Sequence, residues 1–246
     1  MDSATDGDAS GGACASAASE PANGHPAPTV GAEDTDTAFV LAATRIAAVP
    51  FLPELRLHIA DEALALWQQL ERTLARGEAP LPFWAFPWAG GQALARYLLD
   101  HPEVVRGRTV LDVGSGSGLV ALAAARAGAA RVVANDLDPH ALAAIELNAA
   151  LNAINLDRDA RDLLDTDGGA CEVVLIGDLC YEAPLAQRVL GFVQRARARG
   201  ATVLLGDPGR PHLPRAHLEP VATYDISAAP GIEDAEVKRT TVWRPI

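Results

Sequence analysis

The feature that most constrains this chain is a glycine-rich loop between an apolar run and a helical pattern. Residues 109–120 read TVLDVGSGSGLV. Alternating glycines after a buried strand allow a sharp backbone turn, and they let a ligand approach the main chain closely. The sequence therefore predicts a strand at 109–113, a ligand-binding loop and a helix at about 119–127. A generic tight turn between strand and helix is the alternative interpretation.

Strand and helix patterns alternate along the rest of the chain. This alternation is typical of an α/β fold in which helices cover both faces of a mostly parallel, doubly wound sheet. In addition to the strand at 109–113, the predicted strands are 131–135, 172–176, 201–205, a closing pair at 220–226 and 236–244, and a weak strand before residue 161. In addition to the helix at 119–127, the predicted helices are 92–99, 184–199 and one that begins at Pro139.

The sequence before residue 92 divides into two further parts. Residues 1–37 contain seven acids, no Lys or Arg and almost no large apolar residue, so we predict a disordered acidic tail. Residues 38–91 are predicted to form an N-terminal cap, with a helix or extended lead-in at 39–47, an edge strand at 54–59 and a helix at 62–76. Residues 92–246 form the predicted α/β domain.

Composition excludes several functional classes. The net charge is −12. Outside the seven acids of the tail, the chain still has 25 acidic residues and only 20 basic ones. We therefore expect no nucleic-acid partner. No apolar run is long enough to span a membrane, and the N-terminus resembles neither a secretory nor a transit peptide. Cys14, Cys171 and Cys180 lack metal-ligand spacing, so we expect no metal site. A cytoplasmic location follows as the default.

The glycine spacing indicates which ligand the loop binds. A dinucleotide-binding loop has the form G-x-G-x-x-G, whereas here the third glycine, Gly118, comes one residue early and Leu119 follows it. This G-x-G-x-G form, preceded by Asp112, resembles motif I of the class I S-adenosylmethionine-dependent methyltransferases. The resemblance implies a seven-stranded Rossmann-like methyltransferase sheet with a closing antiparallel strand. A nicotinamide-dependent oxidoreductase is the more remote alternative.

The resemblance also implies a set of cofactor-binding residues. Asp136 ends the second predicted strand, where a carboxylate can accept both ribose hydroxyls, a feature that NAD enzymes share. Asp136 could instead only cap the next helix, although Asp138 is better placed for that role. The residues expected to bind S-adenosylmethionine, and its product S-adenosylhomocysteine, are Trp88, Asp112, Gly114, Ser115, Gly116, Gly118, Asp136, Leu137, Asp162 and Leu163.

A second motif follows the strand at 172–176, where the sequence reads GDLCY. Ligands of open α/β sheets bind at the carboxyl ends of the strands, so Asp178 and Tyr181 are expected to face the transferred methyl group. The Asp-x-x-Tyr sequence resembles the Asp/Glu-x-x-Phe/Tyr motif of the seven-β-strand protein lysine methyltransferases. Asp178 would attract and orient the lysine side chain, and Tyr181 would pack or hydrogen-bond at the entrance.

Three further stretches narrow the resemblance. WAGGQAL at 88–94, GDPGRP at 206–211 and TTVW at 240–243 resemble the electron transfer flavoprotein beta-subunit lysine methyltransferases, except that Ala89 replaces a proline of that family. The resemblance covers about 80–246 and implies that this flavoprotein subunit is the substrate. The alternatives are a small-molecule, nicotinamide-like N-methyltransferase, a ribosomal-protein methyltransferase and, more remotely, a non-catalytic cofactor-binding module. Arg210 could serve a structural salt bridge or an acidic peptide.

Overall fold

A computed structural model describes residues 30–62, 65–68, 70, 81–227 and 237–246 of the chain. In chain order the helices and strands are α1 (Val30–Ala43), β1 (Arg45–Val49), β2 (Leu52–Ile59), α2 (Ala89–Asp100), β3 (Thr109–Val113), α3 (Leu119–Arg126), β4 (Arg131–Asn135), α4 (Pro139–Leu151), β5 (Asp157–Asp159), β6 (Val173–Gly177), α5 (Ala183–Ala198), β7 (Thr202–Asp207), β8 (Leu218–Ser227) and β9 (Val237–Pro245). Residues 65–68 and 70, within the predicted helix 62–76, are helical, and residues 71–80 lie outside the described residues.

The centre of the molecule is a seven-stranded sheet in the order β5-β4-β3-β6-β7-β9-β8. The first five strands are parallel, whereas β9 is antiparallel to β7 and β8 is antiparallel to β9. This arrangement confirms the predicted doubly wound, mostly parallel seven-stranded sheet with a closing antiparallel strand. The strand order reverses between β3 and β6, so a crevice opens at their carboxyl ends.

Two apolar layers hold helices on opposite faces of the sheet. Successive strand residues point to opposite faces, so Val110 of β3 packs with helices α2, α3 and α4, and Leu111 packs with α5. Because both faces are covered, the inner parallel strands β3, β4, β6 and β7 are mostly apolar, whereas the edge strand β5 consists of charged residues. This explains why the sequence shows these strands as short continuous apolar runs.

The N-terminal cap packs on α4 and contains a two-stranded antiparallel sheet of β1 and β2. Asn148, which is fully buried, accepts a hydrogen bond from the His58 backbone N–H (2.7 Å) and donates one to the Ser117 carbonyl (2.8 Å). One turn later, Asn152 bonds the backbone of Arg56 in both directions. These amides tie the cap to α4 and to the glycine loop. The division into a cap at 38–91 and a domain at 92–246 stays a prediction.

Helix α1 begins earlier than the sequence suggests. It starts at Val30, inside the segment predicted as a disordered tail to residue 37, and it packs against α4. The Asp36 carboxylate lies 3.6 Å from His140 Nε2, and the Phe39 ring lies 4.8 Å from the His140 ring. These contacts correct the predicted boundary, because an acid of the segment pairs with a histidine of the α/β domain. Residues 1–29 lie outside the described residues.

Candidate active site

The glycine loop lies at the carboxyl end of β3. Gly114, Gly116 and Gly118 all have positive φ angles, of 65°, 54° and 81°, which other residues rarely adopt. A Cβ on Gly114 would lie 2.6 Å from the side chain of Leu179, so the loop also needs this glycine for close packing. At Gly118 a Cβ would meet Ile145 of α4 at 3.3 Å. Gly118 therefore serves the packing of the loop on α4, and its contact with the cofactor stays a prediction.

Asp112 lies beneath this loop and holds its shape. Its Oδ2 accepts hydrogen bonds from Ser115 Oγ (2.5 Å) and from the Ala121 backbone N–H (3.1 Å), and the side chain is 1% exposed. Burial raises the pKa of this carboxyl to about 7, against the lowering effect of its two hydrogen bonds. Asp112 and the Ser115 hydroxyl are turned towards each other under the loop, and the predicted contact of these residues with the cofactor stays a prediction.

Asp136 lies beside the same loop at the end of β4. Its Oδ2 accepts the Gly116 backbone N–H (2.8 Å) and its Oδ1 accepts the Asp138 N–H (3.1 Å), while burial raises its pKa. Asp138 caps α4 by accepting the His140 N–H, so Asp136 is not the cap. Each carboxylate oxygen has a second lone pair for a ligand hydroxyl. The next residue, Leu137, is 59% exposed, so its side chain is accessible to a ligand in the crevice.

The loop at 161–165 closes the other side of the crevice. Asp162 accepts hydrogen bonds from the Leu164 backbone N–H (3.1 Å) and from Arg188 (2.9 Å), and Arg188 lowers its pKa. Leu163 is half-buried against the core. A contact of either residue with adenine stays a prediction.

Sequence reasoning missed Asn135, whose side-chain amide bonds the carbonyls of Asp159 and Arg161 at 2.8 Å each and fixes this loop. A buried polar residue at the end of an apolar strand is the signal that could have found it.

Asp178 lies across the crevice, just after β6. Its φ angle of 55° is rare for a residue other than glycine, and such strain is stored mainly at functional sites. Its Oδ2 accepts the backbone N–H of Gly91 (3.1 Å), in the first turn of α2, where the helix dipole favours a negative charge. Its Oδ1 accepts hydrogen bonds from Arg210 Nη2 (2.9 Å) and Nε (3.2 Å). The side chain that sequence reasoning assigned to substrate is thus already paired with a cation.

The turn after β7 holds Arg210 in that position. Asp207, which is 2% exposed, accepts the backbone N–H groups of Gly209 (2.6 Å) and Arg210 (2.7 Å) through Oδ1. The Arg210 guanidinium also lies over the Trp88 ring, 5.7 Å from its centroid. Of the two roles that the sequence left open for Arg210, the structure supports an internal ion pair. It also gives Asp207 a role that sequence reasoning missed, because the aspartate appeared only as part of a turn.

Aromatic residues line the wall next to this pair. The rings of Phe83 and Tyr181 lie 5.0 Å apart, and Trp88 donates from Nε1 to the Phe83 carbonyl (2.8 Å). Burial raises the pKa of Tyr181, so its hydroxyl stays protonated at neutral pH. Cys180 is 1% exposed, and burial raises its pKa to about 12, consistent with the predicted packing role. Phe83 and Trp88 therefore bring the segment before α2 to the Asp178–Tyr181 motif.

Comparisons with known proteins agree with this geometry. The Xenopus laevis electron transfer flavoprotein beta subunit lysine methyltransferase is 39% identical over 211 residues, which cover 83% of this chain and 85% of that protein. The human protein of the same name is 38% identical over 78% of this chain and 74% of its own length. This chain belongs to the electron transfer flavoprotein beta subunit lysine methyltransferase family. It is accordingly an S-adenosylmethionine-dependent methyltransferase that acts on protein lysine.

Two other similarities concern parts of this methyltransferase. The family model for Ribosomal protein L11 methyltransferase (PrmA) matches residues 92–175. That match ends before Asp178, so it covers the cofactor-binding strands and not the motif assigned to substrate. A solved structure from Pyrococcus horikoshii, described as an RNA methyltransferase, has a TM-score of 0.52 and 15% identity over 73% of this chain and 97% of that one. At this identity it supports the fold alone.

The crevice of this family member suits S-adenosylmethionine. The Asp136 carboxylate has the acceptors that a ribose needs, exposed Leu137 offers an apolar surface to a base, and Gly114 and Gly116 present only backbone. When bound, the cofactor would supply a methyl group whose sulfonium sulfur is a good leaving group. The chain then has only to hold an amine, deprotonated and in line with that methyl group.

Two features are absent from the described part of the chain. In those residues, no group of three or more His, Cys, Asp or Glu side chains is placed to hold a metal ion. Likewise, no described helix has the length and apolar character needed to cross a bilayer.

Proposed function

We propose that this enzyme methylates lysine side chains of the electron transfer flavoprotein beta subunit, with S-adenosylmethionine as the methyl donor. Six relatives that carry this substrate in their names are 32–39% identical to the chain. The single observation that carries the proposal is the Asp178–Tyr181 motif at the carboxyl end of β6. It lies outside residues 92–175, which the ribosomal protein L11 methyltransferase family model matches.

The cofactor half of the proposed site consists of the glycine loop, Asp136 and Leu137. The carboxylate would accept the ribose hydroxyls, and Leu137 would lie against the adenine. Asp112 supports the loop from below and does not need to touch the ligand. Trp88, Asp162 and Leu163 remain proposed contacts at the rim of the crevice, and the predicted cytoplasmic location also remains a proposal.

The substrate half consists of Asp178 and Tyr181. Asp178 is held by the first turn of α2 and by Arg210, so its position is set before substrate arrives. A fixed acceptor can align the attacking amine, and alignment is the main requirement of an in-line methyl transfer. The Tyr181 ring, next to Phe83, would border the channel for the lysine side chain.

The test uses the full-length chain, labelled S-adenosylmethionine and purified electron transfer flavoprotein. We expect label in the beta subunit and a mass increase on lysine-containing peptides. Asp178→Ala should lower the rate about a hundredfold or more, with affinity for S-adenosylhomocysteine within several-fold of the wild type. Asp157→Ala, at an exposed aspartate far from the crevice, is the matched control. Absence of label from the beta subunit would refute the proposed substrate.

A second candidate is a ribosomal-protein substrate, favoured by the family model over residues 92–175. Labelling of a whole lysate, followed by mass spectrometry, separates the candidates. Label in a ribosomal protein alone would support this alternative, and label in small metabolites would support the nicotinamide-like N-methyltransferase.

A further inference from the structure

The carboxylate assigned to substrate lysine is paired with an arginine before substrate binds. The side chains of Asp178 and Arg210 are 10% and 23% exposed, and two nitrogens of Arg210 donate to one oxygen of Asp178. A free carboxylate would attract a lysine ammonium and hold it in the protonated, unreactive form. A carboxylate whose charge is balanced gives the ammonium no such preference.

The chain fixes the guanidinium at three points. The Arg210 backbone is anchored by Asp207, its side chain is paired with Asp178, and its flat face lies over Trp88. A mobile counterion that leaves when substrate arrives would need none of the anchoring at Asp207. The anchoring therefore favours an arginine that stays in place during the reaction.

Resting on the proposed function, we propose that Arg210 is a positioning residue that keeps the Asp178 charge balanced, so that the site receives the lysine amine in its neutral form. Methyl transfer needs the lone pair of that amine, which the ammonium lacks. The ammonium loses one proton to solvent before attack. The nitrogen then bonds to the methyl carbon as the bond from that carbon to the donor sulfur breaks, and S-adenosylhomocysteine would leave with the bonding electrons. The methylated nitrogen can then release a further proton to solvent. Asp178 then orients the amine without fixing a positive charge on it.

The charged groups described around the pair come from several elements. The turn after β7 holds Asp207, with Arg215 within electrostatic reach of it, and burial raises the pKa of Asp207. Glu182, next to Tyr181 in the chain, and Asp136, at the end of β4, act on Tyr181, and Cys180 adds a buried neutral thiol. The first turn of α2 brings backbone N–H groups and no acidic side chain.

The experiment measures how single-turnover methylation by the full-length enzyme depends on pH. Arg210→Gln removes the positive charge paired with Asp178, so the carboxylate should favour the protonated lysine. We therefore expect the acid limb of the profile to move to higher pH, by about 1–3 on the pH scale. On the acid side of that limb, the rate should fall about tenfold for each pH unit by which the limb moves, while KM for the protein substrate does not rise. Arg210→Lys keeps the charge and should keep the limb near its wild-type position.

Two further variants keep the proposal testable if Arg210→Gln fails to fold, which S-adenosylhomocysteine binding will reveal. Asp178→Asn removes the negative charge closest to the substrate amine and keeps the positive charge of Arg210, so the acid limb of this variant should move to lower pH. The double variant Asp178→Asn with Arg210→Gln balances the charges again, and its limb should return to the wild-type position. Arg131→Gln, at an exposed arginine at the start of β4, is the matched control.

Opposite displacements of the limb in the two single variants would support the proposal, because a structural disturbance does not change sign with charge. Limbs that stay in place, limbs that move in the same direction, or loss of rate together with a higher KM would overturn it. If the wild type labels a lysine of another protein and not the flavoprotein, the proposed substrate fails. The same profiles can then be recorded on that protein, so the two failures are distinguishable.

Discussion

The backbone of Gly90 in α2 lies directly against the backbone of Gly206 in β7. A Cβ on Gly90 would lie 2.3 Å from the Gly206 carbonyl oxygen, and a Cβ on Gly206 would lie 2.1 Å from that of Gly90. The first turn of α2 can therefore reach the carboxyl ends of β6 and β7 and donate to Asp178. This contact gives a physical reason for two of the glycine-containing sequence motifs, which lie far apart in the chain.

Gly90→Ala should destabilise the fold and displace Asp178, because the added methyl group meets backbone atoms that cannot move aside. We expect a loss of about 1–3 kcal/mol in the free energy of unfolding, measured by chemical denaturation. Gly91→Ala is the control, since its methyl group would meet only Val120 at 3.8 Å. The free energy of unfolding of that variant should not fall, and it should rise by up to about 1 kcal/mol because alanine has the higher helix propensity. Equal losses for both variants would contradict this interpretation.

Asp136→Asn should weaken cofactor binding more than it weakens the fold. The asparagine can still accept the Gly116 N–H, but it loses the charge and one of the acceptors proposed for the ribose. We expect the Kd for S-adenosylhomocysteine, measured by titration calorimetry, to rise about tenfold or more, or about 1.4 kcal/mol. Asp157→Asn should leave this Kd unchanged. An unchanged Kd for Asp136→Asn would remove Asp136 from the cofactor site.

Asp112 should make stability fall as the pH rises. Its folded pKa of about 7 lies above the usual value of 3.8, so between these values the folded state binds more protons than the unfolded state. The contribution is fully present below pH 3.8 and is lost as the pH rises to about 7, with a slope of up to about 1.4 kcal/mol per pH unit. Denaturation of the wild type and Asp112→Asn at pH 5 and 8 tests this. The free energy of unfolding of Asp112→Asn, relative to that of the wild type, should be higher at pH 8 than at pH 5.

His140 should contribute less to stability as the pH rises. A hydrogen bond with Asp138, supported by the charges of Asp138 and Asp36, raises the pKa of His140. A raised histidine pKa contributes stability below its usual value of 6.5, and that contribution is lost as the pH rises through the folded value. In chemical denaturation, the free energy of unfolding of the wild type minus that of His140→Gln should therefore be larger at pH 6 than at pH 8. An equal difference at the two pH values would contradict this contribution.

Most of the sheet could be predicted from the sequence, because its strands are set by local patterns. The apolar runs at β3, β4, β6 and β7 and the glycine loop each require only neighbouring residues to be recognised. Asp136 was also within reach, since it directly follows a strand whose carboxyl end must face the crevice. The antiparallel closing pair followed from two β-rich stretches at the end of the chain.

Tertiary structure decided how the charged groups are used. Asp178 and Arg210 are 32 residues apart, and they meet because β6 and β7 are parallel neighbours, with Gly177 opposite Gly206. The hydrogen bonds that Asp112 accepts from Ser115 and from the first turn of α3 likewise arise only in the folded chain. The start of α1 could not be predicted from composition, because its contacts with His140 come from a helix a hundred residues away. Sequence pattern records which residues are available, whereas burial and pairing depend on the elements that pack around them.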